Sequence, residues 1–392
     1  MAENSRIHIN GYYNNTRIMN YIRDTANDPD RVKEYTADGE KCRLKISRRG
    51  SSEVYVSFRL SETLSLMDCV ILDAAAAFFM AGSTDAGAWY KEFSAADMAE
   101  FIYGSKKARR KHKDIDMILE KLCRTNITID ISSELKMHMG AMKNDSDKRN
   151  YARNVTSMKN YREAKDGRRL IEGPLLSLEK TDRHKYRIAA PPPLYEYASA
   201  VNQQFVLYSC KLLDEVVGSS SEDSRTYHRK ENGAAVRKKS TWNTARVLLI
   251  RYYLIGRLIV LNNFLRNRKR AESDGNDKEA MEYSARFKSY NEIRFSIIGR
   301  SGEILRGLEW DSKTIESWRK PNNKGLSGHR AEVFEEAVRV LEHFKSIGCL
   351  TGEGYKTEGS GSETVIEITG GINNPLSPDI ALNVDNTGIE EQ

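Results

Sequence analysis

The chain lacks the residue spacings that bind metals or build disulfide frameworks. Its five cysteines, Cys42, Cys69, Cys123, Cys210 and Cys349, are scattered, odd in number and without a C-x-x-C pair. That is the pattern of reduced thiols, and it excludes a disulfide scaffold or a zinc site of ordinary spacing. The seven histidines, His8, His112, His138, His184, His228, His329 and His343, never stand at H-x-H, H-x-x-x-H or H-E-x-x-H. Signatures of metal-dependent nicking are therefore missing. Gly352 to Thr357 (GEGYKT) has the look of a phosphate loop but lacks the adjacent Gly-Lys and the following apolar helix, so it reads as a hairpin turn. Tyr151 and Tyr161 have no cluster around them that would make either a strand-cleaving nucleophile. No catalytic centre, metal or cofactor is expected.

Long hydrophobic runs are also scarce. Met1 to Asn20 is polar, with no apolar core for an export signal. The most apolar stretch, Val247 to Leu261, is short for a membrane span and is interrupted by Arg251 and Arg257, so it reads as a buried helix. The expected location is the cytoplasm, with no membrane partner. Hydrophobic residues at 39% suffice for packed cores, and 392 residues exceed one ordinary core, so two or three domains are expected. The net charge of +7, from 62 Lys+Arg against 55 Asp+Glu, is modest for this length. It gains meaning from its clustering, which points to nucleic acid or another acidic surface.

Residues 1–60 begin polar and end in two alternating runs, Lys41 to Ser47 and Glu53 to Leu60, which predict a β-hairpin. An Ala-rich apolar helix follows from Leu64 to Ala81, with Gly82 as its stop. A short extended piece lies at Tyr90 to Phe93. Ser94 and Asp97 form a capping-box pair for a second helix, with Met98, Phe101 and Ile102 inward and Gly104 at its end. A third helix is predicted from Ser105 to Cys123, then a strand over Asn126 to Ile131. A hairpin pairs Leu175 to Glu179 with Lys185 to Ala189. The polar segment 141–170 reads as a mobile insert. Pro191-Pro192-Pro193 closes the unit, and a helix from Leu194 to Val216 leaves it.

Residues 218–240 are polar and Ser-rich at first and basic at the end, and read as a linker. Residues 241–370 repeat the order loosely. A long helix covers Thr244 to Arg266, followed by a charged loop through Asp277 and an extended piece near Asn291 to Phe295. One helix is expected after Asp311-Ser312 and another over Gly328 to Ile347. Strand-like pieces at Cys349-Leu350 and Thr364 to Thr369 flank a turn over Gly352 to Ser362. Residues 371–392 read as a flexible tail. Helix, short strand, two helices and a hairpin is the order of a winged helix, in which the hairpin is the wing. The expected fold class is thus α+β, mainly helical, with two winged-helix (helix-turn-helix plus β-hairpin) domains in tandem, at 61–217 and 241–370.

The third helix carries most of the functional reading. Lys106, Lys107, Arg109, Arg110, Lys111 and Lys113 make six cations in eight residues, while Ile115, Ile118, Leu119 and Leu122 lie on one face. Read alone, such a run is a solvated helix end. As the second helix of a helix-turn-helix it has a recognition helix's polarity, with charged first turns for the major groove and apolar last turns for the core. Arg109 and Arg110 are the candidates for base contacts, because Arg can bridge O6 and N7 of guanine. Lys106, Lys107 and Lys113 suit phosphates as point charges.

The wing tip adds Lys180, Arg183, His184 and Lys185, where wings meet phosphate or minor groove, although hairpin tips are often basic for solubility alone. The insert holds Lys143, Lys148, Arg149, Arg153, Lys159, Arg162, Lys165, Arg168 and Arg169 against four acids, a composition that fits backbone contacts or a plain polar loop equally. In the second half Arg319, Lys320, Lys324, His329 and Arg330 gather before and at the start of the last helix, a natural phosphate site.

These segments resemble the plasmid and mobile-element replication initiators with tandem winged-helix domains. The likeness spans about residues 60–370 and is carried by Leu66-Met67-Asp68 through Phe93-Ser94-Ala95-Ala96-Asp97-Met98, by Leu194-Tyr195-Glu196-Tyr197-Ala198 and by Arg251-Tyr252-Tyr253-Leu254-Ile255. It includes no catalytic motif, and the very basic third helix, the insert and the charged loop after Arg266 depart from it. The resemblance implies binding of repeated origin sites on double-stranded DNA, a dimer–monomer change and recruitment of host replication proteins. A transcriptional regulator on the same scaffold fits the residues as well. A nucleic-acid-cleaving enzyme is disfavoured by the missing ligand cluster and nucleophile, and a protein-binding role by the charge of the third helix.

Overall fold

The computed structural model describes residues 9–26, 29–36, 42–46, 53–83, 92–182, 185–201, 204–214, 227–231, 234–238, 245–294, 325–359, 364–369 and 371–373. It is an α+β structure, and 57% of these residues are helical.

Strand β1 (Gly11–Asn14) leads into helix α1 (Arg17–Thr25), whose N-cap Thr16 accepts from the Met19 amide at 3.3 Å. Ile18, Met19 and Ile22 face inward and are fully buried. Helix α2 (Pro29–Thr36) follows, then β2 (Cys42–Lys45) and β3 (Tyr55–Leu60). In β3 the alternation is literal: Val56, Phe58 and Leu60 are fully buried, and the residues between them are half-buried. Helix α3 (Leu66–Ser83) is the central helix of this half and is buried along most of its length.

Phe93 then forms a single antiparallel bridge to Tyr186. Helix α4 (Ala95–Tyr103) opens with the full capping box, the Ser94 side chain accepting from the Asp97 amide and the Asp97 side chain from the Ser94 amide. Gly104 ends it at φ 69°, the left-handed conformation that favours glycine at a helix C-terminus. The expected third helix divides in two. Lys106–Lys111 is a 3-10 helix and His112–Arg124 is α5.

Strand β4 (Asn126–Asp130) and helices α6 (Ser132–Ala141) and α7 (Asp145–Thr156) come next, then β5 (Tyr161–Glu163) and β6 (Arg169–Pro174). A five-stranded sheet in the order β2-β3-β4-β6-β5 results. Segment 141–170, expected to be mobile, is therefore built into the fold. Val155 is 1% exposed, Tyr151 donates to the Val201 carbonyl at 2.9 Å, and β5 is the sheet's edge. Glu196 accepts from the backbone amides of Lys159 and Asn160 at 2.8 and 3.0 Å. The insert's polarity hid it because only one of its helical side chains is fully buried.

β7 (Ser177–Asp182) and β8 (Lys185–Ala190) form the expected hairpin. The helix expected over Leu194 to Val216 is replaced by shorter pieces. Helix α8 (Pro193–Glu196) runs into a π-turn over Tyr197–Val201, and β9 (Phe205–Tyr208) pairs antiparallel with β1. A 3-10 turn over Cys210–Leu213 follows. Within the segment read as a linker, β10 (Tyr227–Glu231) and β11 (Ala234–Lys238) make an antiparallel hairpin.

Helix α9 (Ala245–Ser273) is long and apolar enough to cross a membrane, but most of its apolar stretch is buried in this structure. Two of its arginines bond to backbone carbonyls through their Nη atoms. Arg251 donates to the carbonyls of Leu213, Asp214 and Ile102 at 2.7, 2.9 and 3.1 Å, and Arg257 donates to the Glu292 carbonyl at 2.8 Å. Tyr252 donates to Asp73 at 2.5 Å and accepts from Arg23, which is itself paired with Asp73 at 2.8 Å. Gly256 lets α9 lie against Tyr13: a Cβ there would stand 2.1 Å from the Tyr13 Oη. One core cluster thus runs from β1 through α3 to α9.

The charged loop expected before Asp277 is instead the end of α9 and a tight turn. Helix α10 (Asp277–Tyr290) then packs back along it, with Ala280 buried. β12 (Glu292–Arg294) follows, and helix α11 (Gly325–Ser346) buries Val333, Ala337, Val340, Leu341 and Phe344. The helix expected after Asp311-Ser312 lies outside the described residues. β13 (Tyr355–Glu358) occupies what was read as a turn, and with β14 (Val365–Ile368) it completes a sheet in the order β12-β14-β13. α11 is tied to α9 by the ion pair of Arg246 with Glu336.

Candidate nucleic-acid interface

Helix α5 is fixed from three sides. Ile115, Leu119 and Leu122 are buried in the core, at 2% exposure or less. The Lys121 ammonium reaches the buried Asp68 of α3 at 2.5 Å. On the third side Tyr186 of β8 donates to Asp116 at 2.8 Å, and its backbone exchanges two hydrogen bonds with Phe93, at 2.7 and 2.9 Å. The phenol is pushed up to about 12 by burial and by its bond to Asp116. The β7–β8 hairpin is therefore bonded directly to α5.

The expected contact residues fall into distinct groups. Arg110 and Lys113 are exposed, and so are Lys180 on β7 and Lys185 on β8. Lys185 lies 3.8 Å from Glu92. Lys106 and Lys107 lie in the 3-10 turn that leads into α5. Arg109 points elsewhere: its Nη1 donates to Asp97 at 2.7 Å and to the buried Glu100 at 2.9 Å. These acids come from α4, so Arg109 ties the 3-10 turn to that helix through Nη1, with 46% of its side chain exposed. Lys111, in the same run, lies over the Tyr103 ring at 4.0 Å, and burial holds its ammonium below the usual lysine range.

In the second half Arg319, Lys320 and Lys324 lie outside the described residues, as does Arg183 of the wing tip. His329 and Arg330 are in α11, which begins at Gly325. They stand in its second turn, so the expected position at the helix N-terminus is corrected by about one turn.

Besides Asp114, three exposed residues of α5 lying in one line were missed: Met117, Glu120 and Arg124. Their signal was available, because at 3.6 residues per turn they continue the line that starts at Lys113. Among the described residues no group of three or more His, Cys, Asp or Glu is placed to hold a metal ion. The five cysteines are free thiols, and burial pushes the Cys349 thiol up to about 12.

No protein-family model matches the chain, and no curated protein or solved structure matches it.

Proposed function

We propose that this chain is a non-enzymatic, sequence-specific double-stranded DNA-binding protein built on two winged helices, acting in the cytoplasm as a replication initiator at origin repeats. The observation that carries the DNA reading is the construction of α5. One face is locked into the core, and the opposite face offers Lys113 and Arg124 to solvent, with exposed Arg110 in the 3-10 turn just before it and the β7–β8 hairpin bonded to it. A recognition helix with its wing needs this arrangement.

Strand order supports the winged-helix assignment in both halves. In a winged helix the short strand before the second helix pairs with the return strand of the hairpin, giving the order first, third, second. The first half has Phe93 paired to β8 and β8 to β7, and the second has β12-β14-β13. The role in initiation rests on the sequence resemblance alone, and with it the host replication proteins and a second copy of the chain as partners.

The test is selection of bound duplexes from a random library by the full chain, followed by binding at varied salt. The expected result is one enriched motif and a steep fall of affinity with salt, since each neutralised phosphate releases counterions. Recurrence of that motif as direct repeats near the gene supports initiation, while a lone operator-like site supports transcriptional control instead. No enriched motif would overturn the proposal.

A further inference from the structure

α5 turns four side chains outward in one line. Lys113, Met117, Glu120 and Arg124 stand at i, i+4, i+7 and i+11, and all are exposed. At 3.6 residues per turn they share a stripe about 60° wide, opposite Ile115, Leu119 and Leu122. Met117 is 70% exposed, and the only other large apolar side chain as open among the described residues is Met281 of α10, at 74%.

The composition of this stripe separates base reading from phosphate holding. A surface that only tracked phosphates would gain from cations at every position and lose from an acid. Here an apolar side chain and a carboxylate sit between two cations. The major groove offers a partner to each: the thymine 5-methyl is its apolar group, and the cytosine N4 amine is a donor that a Glu accepts. Methionine, unbranched and polarizable, suits contact with a flat methyl-bearing base edge.

We infer that Met117 is a specificity-determining residue that packs on the 5-methyl group of a thymine in the major groove, between base pairs met by Arg110 and by Glu120. This rests on the DNA reading above and adds the base that α5 selects.

The experiment uses the duplex selected by the full chain. Each thymine in turn is replaced by deoxyuridine, which removes only the methyl group. For the parent protein, one position is expected to weaken binding about four-fold, the worth of one buried methyl group. Met117→Ala should bind the thymine and uracil duplexes equally, Met117→Leu should keep the difference, and neither should move the thermal melt, since the side chain is open to solvent. Two results overturn the inference while leaving DNA binding intact: a parent protein indifferent to uracil at every position, or a uracil penalty of the same size in Met117→Ala. Failure to select any duplex overturns the DNA reading and this inference together.

Discussion

Replacing Arg109 by Ala distinguishes a cation that holds the fold from one that meets a ligand. The Arg109 side chain is 46% exposed, but Glu100, its partner at 2.9 Å, is only 5% exposed. Truncation would leave that carboxylate buried without its guanidinium. Breaking a fully buried pair costs roughly 3–5 kcal/mol. Water reaches the arginine side of this pair, which lowers the expectation to about 1–2 kcal/mol. For a cooperative unit of about 200 residues that is a fall in Tm of about 2–8 °C.

Asp97 carries the same logic into pH. Burial alone would raise it, but the Ser94 hydroxyl and amide, with Arg109, hold it below the usual aspartate range. A depressed carboxylate stabilises the fold above its unfolded pKa, near 3.9, and loses that contribution as pH falls through the lower folded value. Arg109→Ala should therefore lose less stability than the parent on acidification, so that its deficit at pH 7 shrinks as pH falls toward 4 and below. Arg110→Ala, at an exposed position, should leave the melt within about 0.5 kcal/mol of the parent. It should cost about 1–3 kcal/mol at a cognate duplex and relax one base position. The assay is a pair of thermal melts, at pH 7 and pH 4, beside competition binding, with Arg109→Ala/Glu100→Gln expected to recover most of the lost Tm. An Arg109→Ala protein that melts like the parent yet loses discrimination at one base pair would refute the reasoning.

Deletion of 141–170 with a short Gly/Ser bridge should abolish the cooperative melt followed by circular dichroism, since it removes β5, α7 and the buried Val155. Gly256→Ala should destabilise by roughly 1–3 kcal/mol, the usual cost of overpacking, read from a denaturant midpoint, because the new Cβ collides with the Tyr13 hydroxyl. Tyr186→Phe should cost about 1 kcal/mol of stability and weaken duplex binding in a titration, because it removes the bond from the hairpin to Asp116.

Elements whose determinants are local were legible in the sequence. The Ser94–Asp97 capping box, the β2–β3 alternation and the β7–β8 hairpin each follow from neighbouring residues. What escaped depends on partners far along the chain. β9 exists because it pairs with β1, nearly 200 residues earlier, and that pairing cannot be read from the apolar pattern that predicted a continuous helix over Leu194 to Val216. α7 is held by Tyr151 on Val201, and the turn after it by the Glu196 carboxylate, so its own residues look like a polar loop. α10 keeps just one buried residue, Ala280, so no apolar periodicity marked a helix after the charged loop expected through Asp277.

The β10–β11 hairpin did have a local signal, Asn232-Gly233 between the two runs, hidden in Ser-rich surroundings. In the site, the cationic character of the 106–113 run was plain, but its division was not. Asp97 and Glu100 stand on α4 at a spacing that faces Arg109, and only the packing of the two helices shows that this arginine is already engaged.

The central claim is that α5 delivers its exposed cations to duplex DNA. Its most direct test is the slope of log K against log salt for the full chain on its selected duplex, measured for the parent and for Lys113→Ala. The account predicts a steep negative slope for the parent. It predicts a slope shallower by about one unit for Lys113→Ala, with cognate and scrambled duplexes weakened alike. A nearly flat slope for the parent, or a Lys113→Ala slope equal to a steep parental one, would contradict it.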